Sequence, residues 1–272
     1  MQPMVNIALR AARIAGEQIA RAAERLDLIK SEENDVAKLL TETCKQAELT
    51  VVTAIHKAYP GHKVICEHTG THEPLKADDA VSFCWHVNPI DSLSNFANGL
   101  PTFALSIAGY QNDRLEHAVI LDPMIGEEFT ASRGRGAQLN GKRLRVSKRK
   151  SLDGSLIGTG FFNRNSDKPH FSAHQEMVKN ITLAGSGLHG GGSATLGLAY
   201  TAAGRLDGFF QPGLQESEVE AASLLLQEAG GLIGDYLGTN NFRTNGNVVA
   251  GNPKMFKALL QSIHPALTPD LK

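Results

Sequence analysis

The chain has 272 residues, which is long enough to bury a large core, either as one compact unit or as two closely joined halves. Its 28 acidic and 27 basic residues nearly balance, so overall charge excludes wholesale attraction to nucleic acid or to an anionic membrane. No stretch resembles a secretory leader or approaches the length of a membrane span, and the three cysteines form no disulfide framework. These features predict a cytoplasmic protein with reduced thiols and no membrane partner.

The first half of the chain is expected to place helices on an extended sheet. Apolar residues recur at helical spacing from Ile7 to Ile19, and a second helix is predicted from about Lys38 to Ala58, before the breaking residues Pro60 and Gly61. The segments that follow are rich in β-branched and aromatic residues. The predicted strands are KVICEH, VSFCWHV, FALSIAGYQ and LEHAVILDP, followed by hairpins in EEFTASRGRGAQLNGKRLRV.

The second half alternates strand and helix patterns. SLIGTGF, LDGFFQ and GNVVAGNP are typical of strands, whereas SATLGLAYTAAG and SEVEAASLLLQEAGG are typical of helices. Such alternation indicates an α/β arrangement. The change of character predicts two parts: 1–150, with helices and a large, mostly antiparallel sheet, and 151–272, an α/β half.

Several long motifs resemble the magnesium-dependent inositol monophosphatases. CWHVNPIDSLSNF is similar to the family's Trp-x-Val-Asp-Pro-Ile-Asp-Gly-Thr-x-Asn-Phe, and SEVEAASLLLQEAGG is similar to its Trp-Asp-x-Ala-Ala-Gly motif with a following Glu-Ala-Gly-Gly. ASRGRGAQLNGKRLRVS, LAYTAAGRLDGFF and VVAGN resemble the bacterial SuhB group of that family. The likeness covers essentially the whole chain. It implies a layered αβαβα fold of the α+β or α/β class, a site at the interface of the two halves, and a homodimer.

The resemblance also implies metal-binding positions, and several of them carry unusual residues. Magnesium prefers hard oxygen ligands in an octahedral arrangement, whereas imidazole is a poor ligand for it. In EHTG, His68 occupies the second position of the family's Glu-Glu pair, and Asn88 and Glu218 each replace an Asp. The Ile90 carbonyl and Asp91 match the family. The implied metal positions are therefore His68, Asn88, Ile90, Asp91 and Glu218.

The implied substrate-binding positions also depart from the family. Leu93 occupies the position of a Thr whose hydroxyl orients the nucleophilic water, and Gln211 stands where the family has a substrate-facing Glu. The Gly-rich run before Ser193 retains backbone amides that can receive an anion. These positions are Asp91, Ser92, Leu93, Gly192, Ser193, Ala194, Gln211 and Glu218.

Taken together, the replacements favour a catalytically inactive member of the family. One change is ordinary sequence drift, but groups that act as one unit are not replaced by those that remain. Charge is lost at Cys44, His68 and Asn88, and a hydroxyl is lost at Leu93. We therefore expect no cofactor, with Mg²⁺ as the cofactor if any function of the site survives. No catalytic residue is assigned.

A softer ion such as Zn²⁺ is an alternative occupant of this site. Cys44, His68, Asp91 and Glu218 supply the ligand types that zinc accepts. However, the sequence contains no Cys-x-x-Cys or His-x-x-x-His pair, so the zinc hypothesis has little support from spacing. The simpler interpretation is that these side chains fill the space of a lost magnesium cluster.

The run KRLRVSKRK, from Lys142 to Lys150, concentrates six cations near the junction of the two halves. Such a run usually forms a solvated face. The functional alternative is contact with RNA or with an acidic protein, because clustered cations gain free energy from counterion release. Aromatic residues are not interleaved with the charges, so stacking on bases is not expected here.

Two classes of function follow from these patterns. The first is a SuhB-like protein that acts by macromolecular binding, for which the resemblance implies ribosomal RNA antitermination with Nus factors and RNA polymerase. The second is a Mg²⁺-dependent phosphatase of inositol monophosphate or another small sugar phosphate, with weak or altered activity. The number of lost ligands favours the first.

Overall fold

A computed structural model describes residues 3–26, 33–76, 82–160 and 170–271. The chain divides into two compact units, Met1–Arg143 (unit 1) and Leu144–Lys272 (unit 2). Within the described ranges, no helix combines the length and the hydrophobicity that a membrane span requires.

Unit 1 combines long helices with one mixed sheet. Its helices are α1 (Pro3–Glu24), α2 (Glu33–Ala58) and α3 (Leu93–Asn98). Its strands are β1 (Lys63–Cys66), β2 (Gly70–His72), β3 (Phe83–Asn88), β4 (Leu105–Gln111), β5 (Arg114–Asp122), β6 (Glu127–Ser132), β7 (Gly136–Leu139) and β8 (Lys142–Arg143). Their order across the sheet is β2-β1-β3-β4-β5-β6-β7-β8. β1 pairs with β3 in parallel, and the other described neighbours are antiparallel.

Helices α1 and α2 form the core of unit 1 with one face of this sheet. The buried side of α1 is largely alanine, which lets the helix approach its neighbours closely. Gly16 continues this small surface, and the side chain of Leu121 packs directly against it. The buried apolar residues on the sheet side of this core include Val64, Trp85 and Ile107.

Unit 2 is built on a smaller mixed sheet. Its helices are α4 (Phe171–Leu183), α5 (Ala194–Ala202), α6 (Glu216–Glu228), α7 (Phe242–Asn245) and α8 (Pro253–Ile263). Its strands are β9 (Leu156–Thr159), β10 (Gly187–His189), β11 (Gly208–Gln211), β12 (Leu232–Gly234) and β13 (Val248–Gly251), in the order β10-β9-β11-β13-β12. β9 is parallel to both of its neighbours, whereas β13 is antiparallel to β11 and β12.

Most of the strongly patterned elements appear where the sequence predicts them. The helix expected over Ile7–Ile19 is confirmed within α1, and the second helix extends further toward the N-terminus than predicted, since α2 begins at Glu33. The strand predicted over KVICEH ends at Cys66, because Glu67 and His68 form a turn. The last residue of SLIGTGF, Phe161, lies outside the described part of the chain. Strands β2, β10 and β12 have three residues each and were not predicted.

The packing of Trp85 depends on a glycine in the neighbouring strand. Trp85 is buried, its indole N–H donates to Nδ1 of His62 at 3.0 Å, and its ring lies 5.0 Å from that of Phe83. A Cβ atom at Gly109, which pairs with Trp85, would lie 2.7 Å from Cζ3 of the indole. Only glycine therefore fits beside this ring without displacing it.

We expect Gly109→Ala to lower the free energy of unfolding by about 1–3 kcal/mol, because the added methyl group displaces a fully packed ring. Gly187→Ala is the matched control, since its added Cβ meets no atom closer than 3.4 Å. The fluorescence of Trp85, the one tryptophan of the chain, measures both unfolding and local displacement. Equal losses in the two variants would contradict this account.

Candidate functional site

The parallel pairing of β1 and β3 brings two of the predicted site segments to one edge of the unit 1 sheet. Cys66, the last residue of β1, pairs with Val87, next to the last residue of β3. Because parallel strands end at the same edge, His68 follows β1 where Asp91 follows β3. The exposed carboxylate of Glu67 belongs to the same turn as His68.

A buried carboxylate holds the turn that contains His68. Glu48 lies in α2, is fully buried, and accepts the backbone N–H of His68 at 2.9 Å and that of Thr69 at 2.7 Å. Each carboxylate oxygen therefore satisfies one amide that β1 no longer pairs. The sequence interpretation missed Glu48. The available signal was its position on the buried face of α2 between Cys44 and Val52.

Asp91 also binds the backbone of its own unit. Its Oδ1 accepts the N–H of Ala104 at 2.8 Å, and its own N–H donates to the Ala104 carbonyl at 3.0 Å. The two bonds fix the loop after β3 against the start of β4. Asn88 and Ile90, which precede Asp91, are both buried.

Ser92 and Leu93 begin helix α3. Ser92 is the N-cap residue but makes no side-chain cap bond, and its buried hydroxyl has no hydrogen-bond partner among the described residues. The side chain of Leu93 is partly exposed. This helix start therefore presents an apolar side chain where the resemblance implies a hydroxyl, and Ser92 supplies a hydroxyl one residue earlier.

Cys44 is a neutral thiol in this environment. Burial raises its pKa to about 12, and the negative charges of Glu48 and Glu67 oppose its ionisation further. Burial and the charge of Glu48 likewise raise the pKa of Cys66 to about 12. A thiol binds metal as the thiolate, so a metal ion would have to displace the proton that Cys44 holds in the metal-free protein.

In unit 2, two of the predicted substrate-binding segments are linked by a hydrogen bond. Ser193 is the N-cap of α5, where its hydroxyl accepts the N–H of Leu196 at 3.1 Å, and Gly192 before it has a φ of +80°. The hydroxyl of Thr195 donates to the carbonyl of Glu218 at 3.0 Å. The start of α5, including Ala194, therefore lies beside the first turn of α6.

Glu218 acts as a capping residue of α6. Its Oε2 accepts the N–H of Gln215 at 2.7 Å in a capping box, which satisfies an amide that precedes the helix. At the end of β11, the side chain of Gln211 packs against the backbone of Gly160, where an added Cβ atom would overlap it. Both side chains thus have structural contacts within unit 2. Whether the positions of the two units form one site stays a prediction.

The donor chemistry of these residues does not fit a magnesium cluster. Mg²⁺ requires an octahedral set of hard oxygen ligands. Of the implied positions in unit 1, only Asp91 carries a charged oxygen, since His68 offers imidazole and Asn88 an amide. Glu67 adds one carboxylate to this edge. Within the described ranges, no group of three or more His, Cys, Asp or Glu side chains could hold a metal ion, so the geometry supports the zinc alternative no better.

The basic run from Lys142 to Lys150 is not one solvated hairpin. Only Lys142–Arg143 form a strand, and the rest belongs to unit 2. Nη1 of Arg145 contacts the carbonyl of Glu228 at 3.5 Å, at the C-terminus of α6, where a cation is favoured. Arg149 pairs with Asp207 at 3.1 Å, and Asp207 also accepts the N–H of Leu156 at 2.9 Å.

The cations of this run therefore have different roles. Asn252 donates to the carbonyls of Ser147 and Arg149, which fixes the backbone beside the Arg149–Asp207 pair. The exposed side chains of Lys148 and Lys150 have no acidic partner in the part of the chain that the structure describes. These two lysines, rather than Arg149, are available to a binding partner.

Comparison with known proteins identifies the family. The sequence profile described as "Inositol monophosphatase family" matches residues 1–268. The chain belongs to the inositol monophosphatase family. It is 50% identical to the protein named Nus factor SuhB of Pseudomonas aeruginosa and 42% identical to that of Escherichia coli K12, in each case over 100% of both chains.

Solved structures confirm the mixed α/β fold of this family. The native crystal structure of the extragenic suppressor protein suhB from Bartonella henselae matches with a TM-score of 0.85 at 29% identity, over 98% of this chain and 100% of the other. The inositol monophosphatase of Anabaena sp. PCC 7120 matches with a TM-score of 0.79 at 28% identity, over 96% and 95%. The fold implied by the sequence motifs is thus correct.

We expect Glu48→Ala to lower the free energy of unfolding by about 3 kcal/mol, because two buried backbone amides lose a charged acceptor. Glu48→Gln should fall between this variant and the wild type, since an amide side chain accepts through one oxygen only. Amide hydrogen exchange at His68 and Thr69 locates the effect, and denaturant unfolding measures it.

The matched control is Glu42→Ala, which removes an exposed carboxylate from the same helix and should change stability by no more than about 0.5 kcal/mol. If Glu48→Ala cost no more than Glu42→Ala, or if exchange at His68 and Thr69 stayed slow, the carboxylate would not hold the turn.

Proposed function

We propose that the chain acts as a SuhB-type factor by binding macromolecules, with Nus factors and RNA polymerase as partners in ribosomal RNA antitermination. The similarity to proteins named Nus factor SuhB over their whole length supports this proposal. Binding of this kind needs an intact fold and surface and requires no metal cluster. The proposal includes the homodimer that the family resemblance implies.

The observation that carries the proposal is the use of the site's remaining acids as backbone acceptors. Asp91 binds Ala104, and Glu218 binds Gln215, each through a carboxylate oxygen at hydrogen-bonding distance. A carboxylate oxygen that accepts a backbone N–H is held in place for that bond, and a metal ion would have to share it. These residues therefore have a structural reason to persist without catalysis.

The lysines of the basic run supply the electrostatic part of the proposed surface. Lys148 and Lys150 are exposed on backbone that Asn252 and the Arg149–Asp207 pair hold in place. Cations on a fixed backbone lose less conformational entropy on binding than those on a mobile loop. An RNA or an acidic protein surface is the kind of partner that such cations attract.

The first test is a phosphate-release assay with inositol monophosphate at saturating Mg²⁺. We expect turnover below about 1 per second, because His68 and Asn88 are poor replacements for charged ligands and Leu93 lacks a hydroxyl. The combined variant His68→Glu, Asn88→Asp and Leu93→Thr should gain activity that no single replacement restores.

Asp91→Asn, placed in the wild type and in the combined variant, separates turnover at this site from a contaminating phosphatase. Suppose that the wild type turns over in the usual enzyme range and that Asp91→Asn abolishes this activity. That result would overturn the assignment as inactive and would favour a phosphatase of small sugar phosphates instead. Recovery through one replacement alone would show that the ligand set is less damaged than we infer.

The second test is the salt dependence of binding to single-stranded RNA and to RNA polymerase assembled with Nus factors. Lys148→Glu with Lys150→Glu should weaken the association. For RNA, the slope of log K against log[salt] should fall by about 1.4, or about 0.7 for each lost contact. The matched control is Lys254→Glu with Lys257→Glu, which makes the same charge change on α8.

Circular dichroism melting checks that both double variants stay folded, and exposed charges should contribute little to stability. Arg149 is left intact because its pair with Asp207 is structural. Equal weakening by the two double variants would mean that net charge, and not the Lys148–Lys150 surface, drives the association.

A further inference from the structure

A hydrogen bond between two side chains joins the residue before β1 to strand β3. Nδ1 of His62 accepts the indole N–H of Trp85 at 3.0 Å. An indole nitrogen can only donate, so Nδ1 must carry a lone pair and the imidazole must be neutral, with its proton on Nε2. A protonated imidazole has no acceptor in any orientation. This bond therefore exists only while His62 is not protonated.

The surroundings of the bond make its loss costly. The ring of His62 stacks on that of Tyr59, at 4.7 Å with 9° between the planes, and on that of Phe83, at 4.5 Å with 17°. These stacks hold the imidazole beside the indole. Trp85 is only 1% exposed, so its N–H has little access to water that could replace the acceptor. A buried donor left without a partner lowers stability.

The titratable and charged groups next to His62 do not impose the same requirement. Nε2 of His56, in α2, donates to the backbone carbonyl of His62 at 3.0 Å. This bond persists when His56 is protonated, because both ring nitrogens then donate. Lys63, at the start of β1, pairs with Glu73 at 3.1 Å, which offsets its charge.

His117 is a further titratable group beside Trp85. Its ring lies 6.3 Å from the indole, and its Nδ1 lies 3.1 Å from the hydroxyl of Ser132. Burial lowers the pKa of His117, and the negative charge of Glu116, which pairs with Arg133 at 3.6 Å, opposes this shift. His117 is therefore neutral at a pH where an ordinary histidine is half protonated, and it has to be separated from His62 by experiment.

We propose that the hydrogen bond between Trp85 and His62 is a pH-sensitive switch on the pairing of β1 with β3. While His62 is neutral, the bond ties the beginning of β1 to β3, where Trp85 pairs with Val64. When His62 takes up a proton, the indole loses its acceptor and this end of the strand pair loosens. The switch acts on the strand that leads directly into the turn containing His68.

The direction of the pH dependence follows from proton binding in the two states. The unfolded chain binds a proton at His62 below about pH 6.5, whereas the folded chain must first break the indole bond. The unfolded state therefore binds more protons, and the folding equilibrium constant falls as the pH falls. We expect His62 to account for a fall of about tenfold between about pH 7.5 and about pH 5.5, which is the effect of one buried hydrogen bond.

The test combines denaturant unfolding with the NMR signal of the indole N–H, since the chain has one tryptophan. In the wild type, this signal should shift as the pH falls through about 6.5, together with the loss of stability. His62→Asn places an amide oxygen, which does not titrate, near the position of Nδ1. In this variant the signal should stay nearly constant, and the tenfold share of the pH dependence should disappear. Trp85→Phe removes the donor and should remove the same share, whatever its effect on stability at neutral pH.

His117→Asn and His264→Asn are the matched controls. The first leaves the indole bond in place, so the shift of the indole signal should persist. The second removes an exposed histidine of unit 2 and should behave as the wild type does. The proposal is wrong if the indole signal of the wild type does not depend on pH, if His62→Asn retains the full pH dependence of stability, or if His117→Asn abolishes the shift.

Discussion

The parallel pairing of β1 with β3 is the constraint on which the candidate site of unit 1 depends. It joins strands that are separated in sequence by β2, and its register sets Cys66 beside Val87. Both strands then end at one edge, so the following turns must bring their amides out of the sheet together. Glu48 satisfies two of these amides from α2, and Asp91, in the loop after β3, accepts the amide of Ala104 just before β4. The backbone at this edge is thus held by carboxylates that accept its N–H groups.

This arrangement supports the proposal that the chain acts by binding, because it gives the fold a source of stability at the candidate site that does not depend on catalysis. A metal ligand and a backbone acceptor can be the same side chain, as the hydrogen bonds of Asp91 and Glu218 illustrate. A substitution at Asn88 or Leu93 leaves these bonds intact, because neither side chain is the acceptor in these carboxylate–amide hydrogen bonds. Structural acids of this kind are expected to persist longer than acids that only bind metal, since their loss exposes unsatisfied amides.

The sequence predicted the patterned elements and the family-related positions but not the contacts that decide their roles. Helix α1 follows from the periodicity of its apolar residues, and strands β3 to β5 follow from their β-branched and aromatic residues. The role of Glu48 as an acceptor for the backbone amides of His68 and Thr69 could not be recognised, because these amides lie twenty or more residues away in the sequence. The basic run shows the same limit: Arg149 and Lys148 are adjacent cations in the sequence, and only the long-range pair with Asp207 distinguishes them.

Electrostatics also supports the proposal that the site edge needs no cation. Carboxylates gathered around a metal ion repel one another when the ion is absent, and that repulsion destabilises the native state. Asn88 contributes no charge, and Cys44 stays a thiol because burial raises its pKa. The charge of Glu48 is offset by two amide donors, and the amide of Ala104 donates to Asp91. Apart from the exposed carboxylate of Glu67, the edge therefore carries little uncompensated negative charge, and hydrogen bonds that need no metal hold its backbone.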